Sequence, residues 1–188
     1  IDLKVEELLS QMTVEEKLGY IGGIDWMYTK SIDRLGIHRM RMSDGPQGIG
    51  TKGKSTAYPA TVTLAATWNE NLAYQYGKAL GRDCRARNIN VILGPAVNIY
   101  RAPMCGRNFE YMGEDPYLTS RICVGYIKGV QDQGVMATVK HFVANNSDYD
   151  RNNISNDIDE RTLNEIYFPA YKAAIQEAEV GAIMTSYN

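Results

Sequence analysis

Short apolar runs alternate with longer amphipathic stretches along this 188-residue chain, and no other feature restricts the fold as much. Val91-Ile92-Leu93, Met136-Ala137-Thr138-Val139 and Gly181-Ala182-Ile183-Met184-Thr185 have the nearly unbroken apolar character of strands covered on both faces. Arg39-Met40-Arg41-Met42-Ser43 and the Thr61–Ala66 run are two further strand candidates. Between and before them, residues 5–20, 71–88, 117–133 and 157–179 carry apolar side chains at helical spacing. Thr13 with Glu16, and Asp157 with Glu160, stand at capping-box spacing and predict helical starts. Pro169 lies inside the last helical stretch and should kink or split it.

Strand–helix alternation of this kind builds parallel β/α units. Both an open doubly wound sheet and a (β/α)8 barrel are built that way, and both bind ligands at the carboxyl ends of their strands. No glycine-rich phosphate fingerprint follows any strand, which favours the barrel. The expected fold class is α/β, an incomplete (β/α)8 TIM-like barrel holding about the first five βα units, because a full barrel takes roughly 250 residues. Residues 1–188 are read as one partial domain. The start at Ile1-Asp2-Leu3 has neither methionine nor signal-peptide pattern, so periplasmic, secreted and cytoplasmic locations all stay open.

Polar residues collect where the strand candidates end: Asp44, Asn98, Lys140, His141 and Tyr187. Lys140 and His141 weigh most. A basic pair at the end of a buried strand is costly unless something anionic or rich in hydroxyls meets it. The loop from Ile99 to Pro116 is longer than most and rich in Gly, Pro, Arg and Asn, as functional loops often are.

Composition narrows the partners. With 20 Lys plus Arg against 22 Asp plus Glu, no stretch is markedly basic, so neither nucleic acid nor a membrane surface is expected. No run is long enough to span a bilayer. The 3 cysteines, Cys84, Cys105 and Cys123, lack metal-site spacing and are expected as buried free thiols. The 13 tyrosines against 3 phenylalanines suit half-wet core margins or carbohydrate faces.

Nine segments in order resemble the amino-terminal barrel domain of glycoside hydrolase family 3, close to its bacterial β-glucosidases. They are Met12-Thr13-Val14-Glu15-Glu16-Lys17, Ser43-Asp44-Gly45-Pro46, Tyr58-Pro59-Ala60 through Ala65-Ala66-Thr67-Trp68, and Leu93-Gly94-Pro95 to Asn98. Gly106-Arg107-Asn108-Phe109-Glu110, Glu114-Asp115-Pro116, Lys140-His141-Phe142, Asp159-Glu160-Arg161-Thr162 and Ser186-Tyr187-Asn188 complete the set.

The resemblance implies retaining hydrolysis of terminal non-reducing β-D-glucosyl residues. That chemistry uses two carboxyl groups about 5–5.5 Å apart. The family's nucleophile is an aspartate in a Ser-Asp-Trp motif on a later barrel strand, and its acid/base glutamate comes from an α/β sandwich domain. Both are expected beyond Asn188, so no catalytic residue is assigned within this chain and the missing carboxyl-terminal barrel part and sandwich domain are its expected partners. A β-glucoside or oligosaccharide is the implied substrate. Neither metal nor cofactor is implied.

By the same resemblance, Asp44 accepts from sugar hydroxyls, where an ionised acceptor makes stronger bonds; its plain alternative is an Asp-Gly-Pro turn. Arg107 stands beside the sugar, or else ties down Glu110 or Glu114. Lys140 and His141 donate to ring hydroxyls. Arg151 braces or touches the subsite, and Met184 and Tyr187 line it, with core packing as the alternative for Met184. Arg101 braces its loop, and His38 is exposed ahead of the first strand.

Two departures bear on specificity. Asp148 stands where the family commonly has glutamate, which puts the contacts of the 145–151 loop in question. Val143-Ala144-Asn145-Asn146 replaces the Pro-Gly-His-Gly loop of the β-N-acetylglucosaminidases, which argues against that branch. Three readings remain beside the β-glucosidase: a β-xylosidase, a non-catalytic carbohydrate-binding half-barrel, and a barrel binding phosphorylated sugars. The last finds no helix-start phosphate nest.

Overall fold

The computed structural model describes residues 2–50 and 53–188. It divides into two compact units, Ile1–Met42 and Ser43–Asn188.

The first unit holds helices α1 (Asp2–Gln11) and α2 (Val14–Gly22). The helical stretch expected over residues 5–20 restarts after Met12-Thr13, where the predicted capping box forms. Thr13 Oγ1 accepts from the Glu16 amide at 3.2 Å, and Glu16 Oε2 accepts from the Thr13 amide at 2.9 Å. Arg34 then closes on Glu16 at 2.7 and 2.5 Å and donates to the Gln11 carbonyl at 2.7 Å. Those bonds hold the Glu16 carboxyl down at about 2, Arg34 being the larger cause. Among the described residues of this unit only Ile32 is buried. His38 is exposed, as expected.

The second unit is built on a sheet of four strands in the order β1-β2-β3-β4. They are β1 (Met42–Asp44), β2 (Val91–Leu93), β3 (Met136–Phe142) and β4 (Ala182–Thr185). β2 pairs parallel to β3 with Val91 beside Met136, and β3 pairs parallel to β4 with Lys140 beside Met184. Five strands were expected. The difference is the Thr61–Ala66 run, which forms the short helix α3 (Thr61–Ala65). Its β-branched residues favour strands only when a pleated neighbour receives them. Here the Thr61 hydroxyl donates to the Tyr111 carbonyl at 3.2 Å, and Leu64 and Ala65 pack into the core.

Helices α4 (Glu70–Ala86) and α5 (Pro116–Gln131) pack against each other with their backbones almost in contact. A Cβ on Gly129 would stand 2.1 Å from the Tyr74 carbonyl oxygen, and one on Gly77 2.2 Å from that of Tyr126. Only residues without side chains permit that approach. The interface merges with Ile92, Val97 and Val139 of the sheet region into the main core. Many tyrosines belong to it: Tyr126 donates to the Pro46 carbonyl at 3.0 Å and Tyr76 to that of Pro59 at 3.0 Å. Cys84, Cys105 and Cys123 are buried free thiols.

The last helical stretch splits around Pro169 into α6 (Glu160–Thr162), a π-helical turn (Leu163–Tyr167) and α7 (Phe168–Gln176). Proline lacks the amide that would continue an α-helical ladder, so the turn before it widens. Asp159, rather than Asp157, caps the start, accepting from the Thr162 amide at 2.9 Å.

Candidate functional site

Strand β3 carries the site. Its residues Ala137 to His141 are buried in succession, so the run that begins apolar ends by taking Lys140 (2% exposed) and His141 (1%) inside with it. Two backbone bonds hold this end in place: the Lys140 amide donates to the Pro95 carbonyl at 3.0 Å, and the Val97 amide donates to the Lys140 carbonyl at 2.8 Å.

A buried ammonium needs a partner, and Glu110 supplies it. Glu110 is the last residue of a short 3-10 turn (Asn108–Glu110) in the long loop and is 3% exposed. Its Oε2 lies 3.2 Å from Lys140 Nζ. Its Oε1 accepts from Arg107 Nε at 2.5 Å and lies 2.5 Å from an Arg107 terminal nitrogen. Lys140 Nζ also donates to the Gly45 carbonyl at 3.4 Å, which brings it next to Asp44 at the exposed end of β1.

The electrostatics follow from this packing. Burial pushes the Lys140 ammonium below its ordinary range; the Glu110 and Asp44 charges oppose that shift and Arg107 adds to it. Burial pulls hardest on Arg107, but the charge and hydrogen bond of Glu110, with Tyr111 and Asp148 adding to them, together outweigh it and the guanidinium ends above its usual value. The opposite directions are consistent, since Lys140 is much the more buried of the two. His141 is driven down to about 2, first by burial and then by the charges of Arg107, Lys140 and Arg151, so its imidazole is neutral. Its ring meets Tyr111 edge-on at 6.4 Å.

Beside the buried group lies a second, more exposed one. Arg151 is 3.7 Å from Asp148 and places its guanidinium carbon 4.3 Å from the centroid of the Tyr187 ring. The Asp148 charge acts on Arg107, and the Arg151 charge acts on His141. Asparagines join the loops behind both groups. Asn98 Nδ2 donates to the Asn145 carbonyl and to Asn146 Oδ1, each at 3.1 Å. Asn145 Nδ2 donates to the Tyr111 hydroxyl at 2.8 Å, and Asn146 Nδ2 to the Tyr167 hydroxyl, on the π-helical turn, at 2.7 Å.

Asp44, Arg107, Lys140 and His141 thus share one neighbourhood, with Arg151 and Tyr187 beside it. Met184 is half-buried on β4 next to Lys140. Arg101 is exposed on its loop. Glu110 was the residue overlooked. Sequence reasoning saw it only as an anchor for Arg107, although its spacing from Arg107 on a turn was visible. Among the described residues no group of three or more His, Cys, Asp or Glu could hold a metal ion, and no helix is long and apolar enough to cross a membrane.

Parallel βα units with polar groups gathered at strand ends define an incomplete (β/α) barrel. Residues 13–188 match the glycosyl hydrolase family 3 N terminal domain, and the chain belongs to that family. It is 47% identical to beta-glucosidase BoGH3A of Bacteroides ovatus over 100% of the chain and 27% of that protein. It is 43% identical to thermostable beta-glucosidase B of Acetivibrio thermocellus over 98% of the chain and 26% of that protein. The beta-glucosidase of Kluyveromyces marxianus, solved in complex with glucose, superposes with a TM-score of 0.95 at 41% identity, over 98% of this chain and 23% of that one. The chain therefore spans about a quarter of the length of the curated relatives it matches.

Proposed function

We propose that this chain supplies the sugar-gripping part of the −1 subsite of a retaining β-glucosidase. In this reading the nucleophilic aspartate and the acid/base glutamate come from segments outside the sequence. Asp44 accepts from glucose hydroxyls, while Lys140, His141 and Arg107 donate to them. The neutral imidazole of His141 still offers an N–H, and Arg151, Met184 and Tyr187 border the sugar. The supporting observation is the buried Lys140–Glu110–Arg107 group set beside exposed Asp44, in a chain whose relatives are named beta-glucosidases. Keeping the Lys140 cation at the end of a buried strand, with Arg107 beside it, suits a ligand dense in hydroxyl oxygens.

Assay of the full-length protein on aryl β-glucoside and aryl β-xyloside tests this. Turnover of the glucoside with retention of configuration is expected, with the xyloside slower. Residues 1–188 alone should show none. Hydrolysis by the isolated chain well above background would place the reacting carboxylates within it and overturn the assignment.

A further inference from the structure

We infer that Glu110 is a positioning residue, which aims Arg107 and Lys140 together at one sugar. The inference rests on the −1 subsite reading above and adds to it a residue that does not itself touch substrate. A loop staple would need only the bonds from Arg107 to Oε1. The second oxygen, Oε2, instead reaches 3.2 Å across to Lys140 on β3, so one buried carboxylate registers the long loop against the strand. With the Gly45 carbonyl taking another Lys140 N–H at 3.4 Å, two of the three ammonium hydrogens are engaged and the direction of the third is set. Two cations share one carboxylate, which leaves positive charge in excess beside the exposed carboxylate of Asp44. Such a pairing of donors and acceptor suits a polyol.

Both carboxylate oxygens work as acceptors, which makes the role testable with little change in shape. Glu110→Gln keeps the volume but turns an NH2 group toward one of the cations. In the full-length protein, glucose inhibition constants and the kcat and KM for an aryl β-glucoside are measured for wild type, Glu110→Gln, Lys140→Met and the double variant. Glu110→Gln alone should weaken glucose binding and raise KM roughly tenfold or more, as expected for losing a charged hydrogen bond. In the Lys140→Met background the same change should cost less than about threefold, because only Arg107 is then left for Glu110 to aim. Equal costs in both backgrounds, or no change in KM from Glu110→Gln, overturn the inference. If Glu110→Gln does not accumulate as folded protein, Glu110→Asp, which keeps both acceptors but draws them back, enters the same cycle under the same criteria. A wild type that neither binds glucose nor cleaves the glycoside overturns the functional reading and this inference with it. A binding wild type with an uncoupled cycle overturns this inference alone.

Discussion

The guanidinium carbon of Arg151 lies 4.3 Å from the centroid of the Tyr187 ring, so the loop that follows β3 rests on the segment that follows β4. Tyr187 is 54% exposed, and an exposed cation–π contact is worth about 0.5–1 kcal/mol. Tyr187→Phe keeps the ring and should leave KM for an aryl glucoside within about twofold. Tyr187→Ala should raise it by roughly two- to fivefold. Equal losses in both variants, read from steady-state kinetics, would assign the effect to the phenol hydroxyl instead of the ring.

Asp44 ends β1 exposed, next to the Gly45 carbonyl that accepts from Lys140. An ionised acceptor for sugar hydroxyls cannot be replaced by a methyl group. Asp44→Ala should lower kcat/KM more than about tenfold with the thermal midpoint nearly unchanged, since exposed substitutions seldom destabilise. Full activity in the variant would remove Asp44 from the subsite.

Gly129 faces the Tyr74 carbonyl so closely that a methyl group would sit 2.1 Å from the oxygen. Gly129→Ala should therefore force α4 and α5 apart and cost about 1–3 kcal/mol or more, seen as a lower urea midpoint. Gly22, at the end of α2, would place its Cβ with nothing within 4 Å. Gly22→Ala should change stability by no more than about 0.5 kcal/mol.

His141 gives stability a specific pH dependence. Unfolded, the imidazole takes up a proton near its ordinary value of 6.5; folded, burial resists that proton until about pH 2. Between these limits the unfolded chain binds the extra proton, so stability is full above 6.5 and declines as acid is added. The slope should approach about 1.4 kcal/mol per pH unit near pH 5. Urea midpoints across pH 7 to 5 measure it, and His141→Gln should flatten the curve. An unchanged slope in that variant would mean that other groups carry the acid sensitivity.

Where periodicity and local chemistry decide, the chain could be read directly. Apolar spacing located α4 and α5 to within a residue or two, the Thr13–Glu16 box placed the start of α2, and Pro169 marked the split before α7. Thr61–Ala65 could not be read this way. A β-branched run becomes strand or short helix according to its neighbours, and here those are the Tyr111 carbonyl and the core beneath α5.

Lys140 and His141 declared themselves because a basic pair closing an apolar run is costly in itself, and that cost is written in consecutive residues. Glu110 did not, because a carboxylate in a polar loop looks solvated until the loop folds back on β3. Only the tertiary structure brings it within 3.2 Å of a lysine 30 positions away and buries both. Apart from Thr61–Ala65, the sequence by itself determined the succession of strands and helices, together with the family and the polar strand ends, since each depends on residues close in the chain. The tertiary structure decided which charges meet out of water, because burial and ion pairing depend on contacts between segments far apart in the chain.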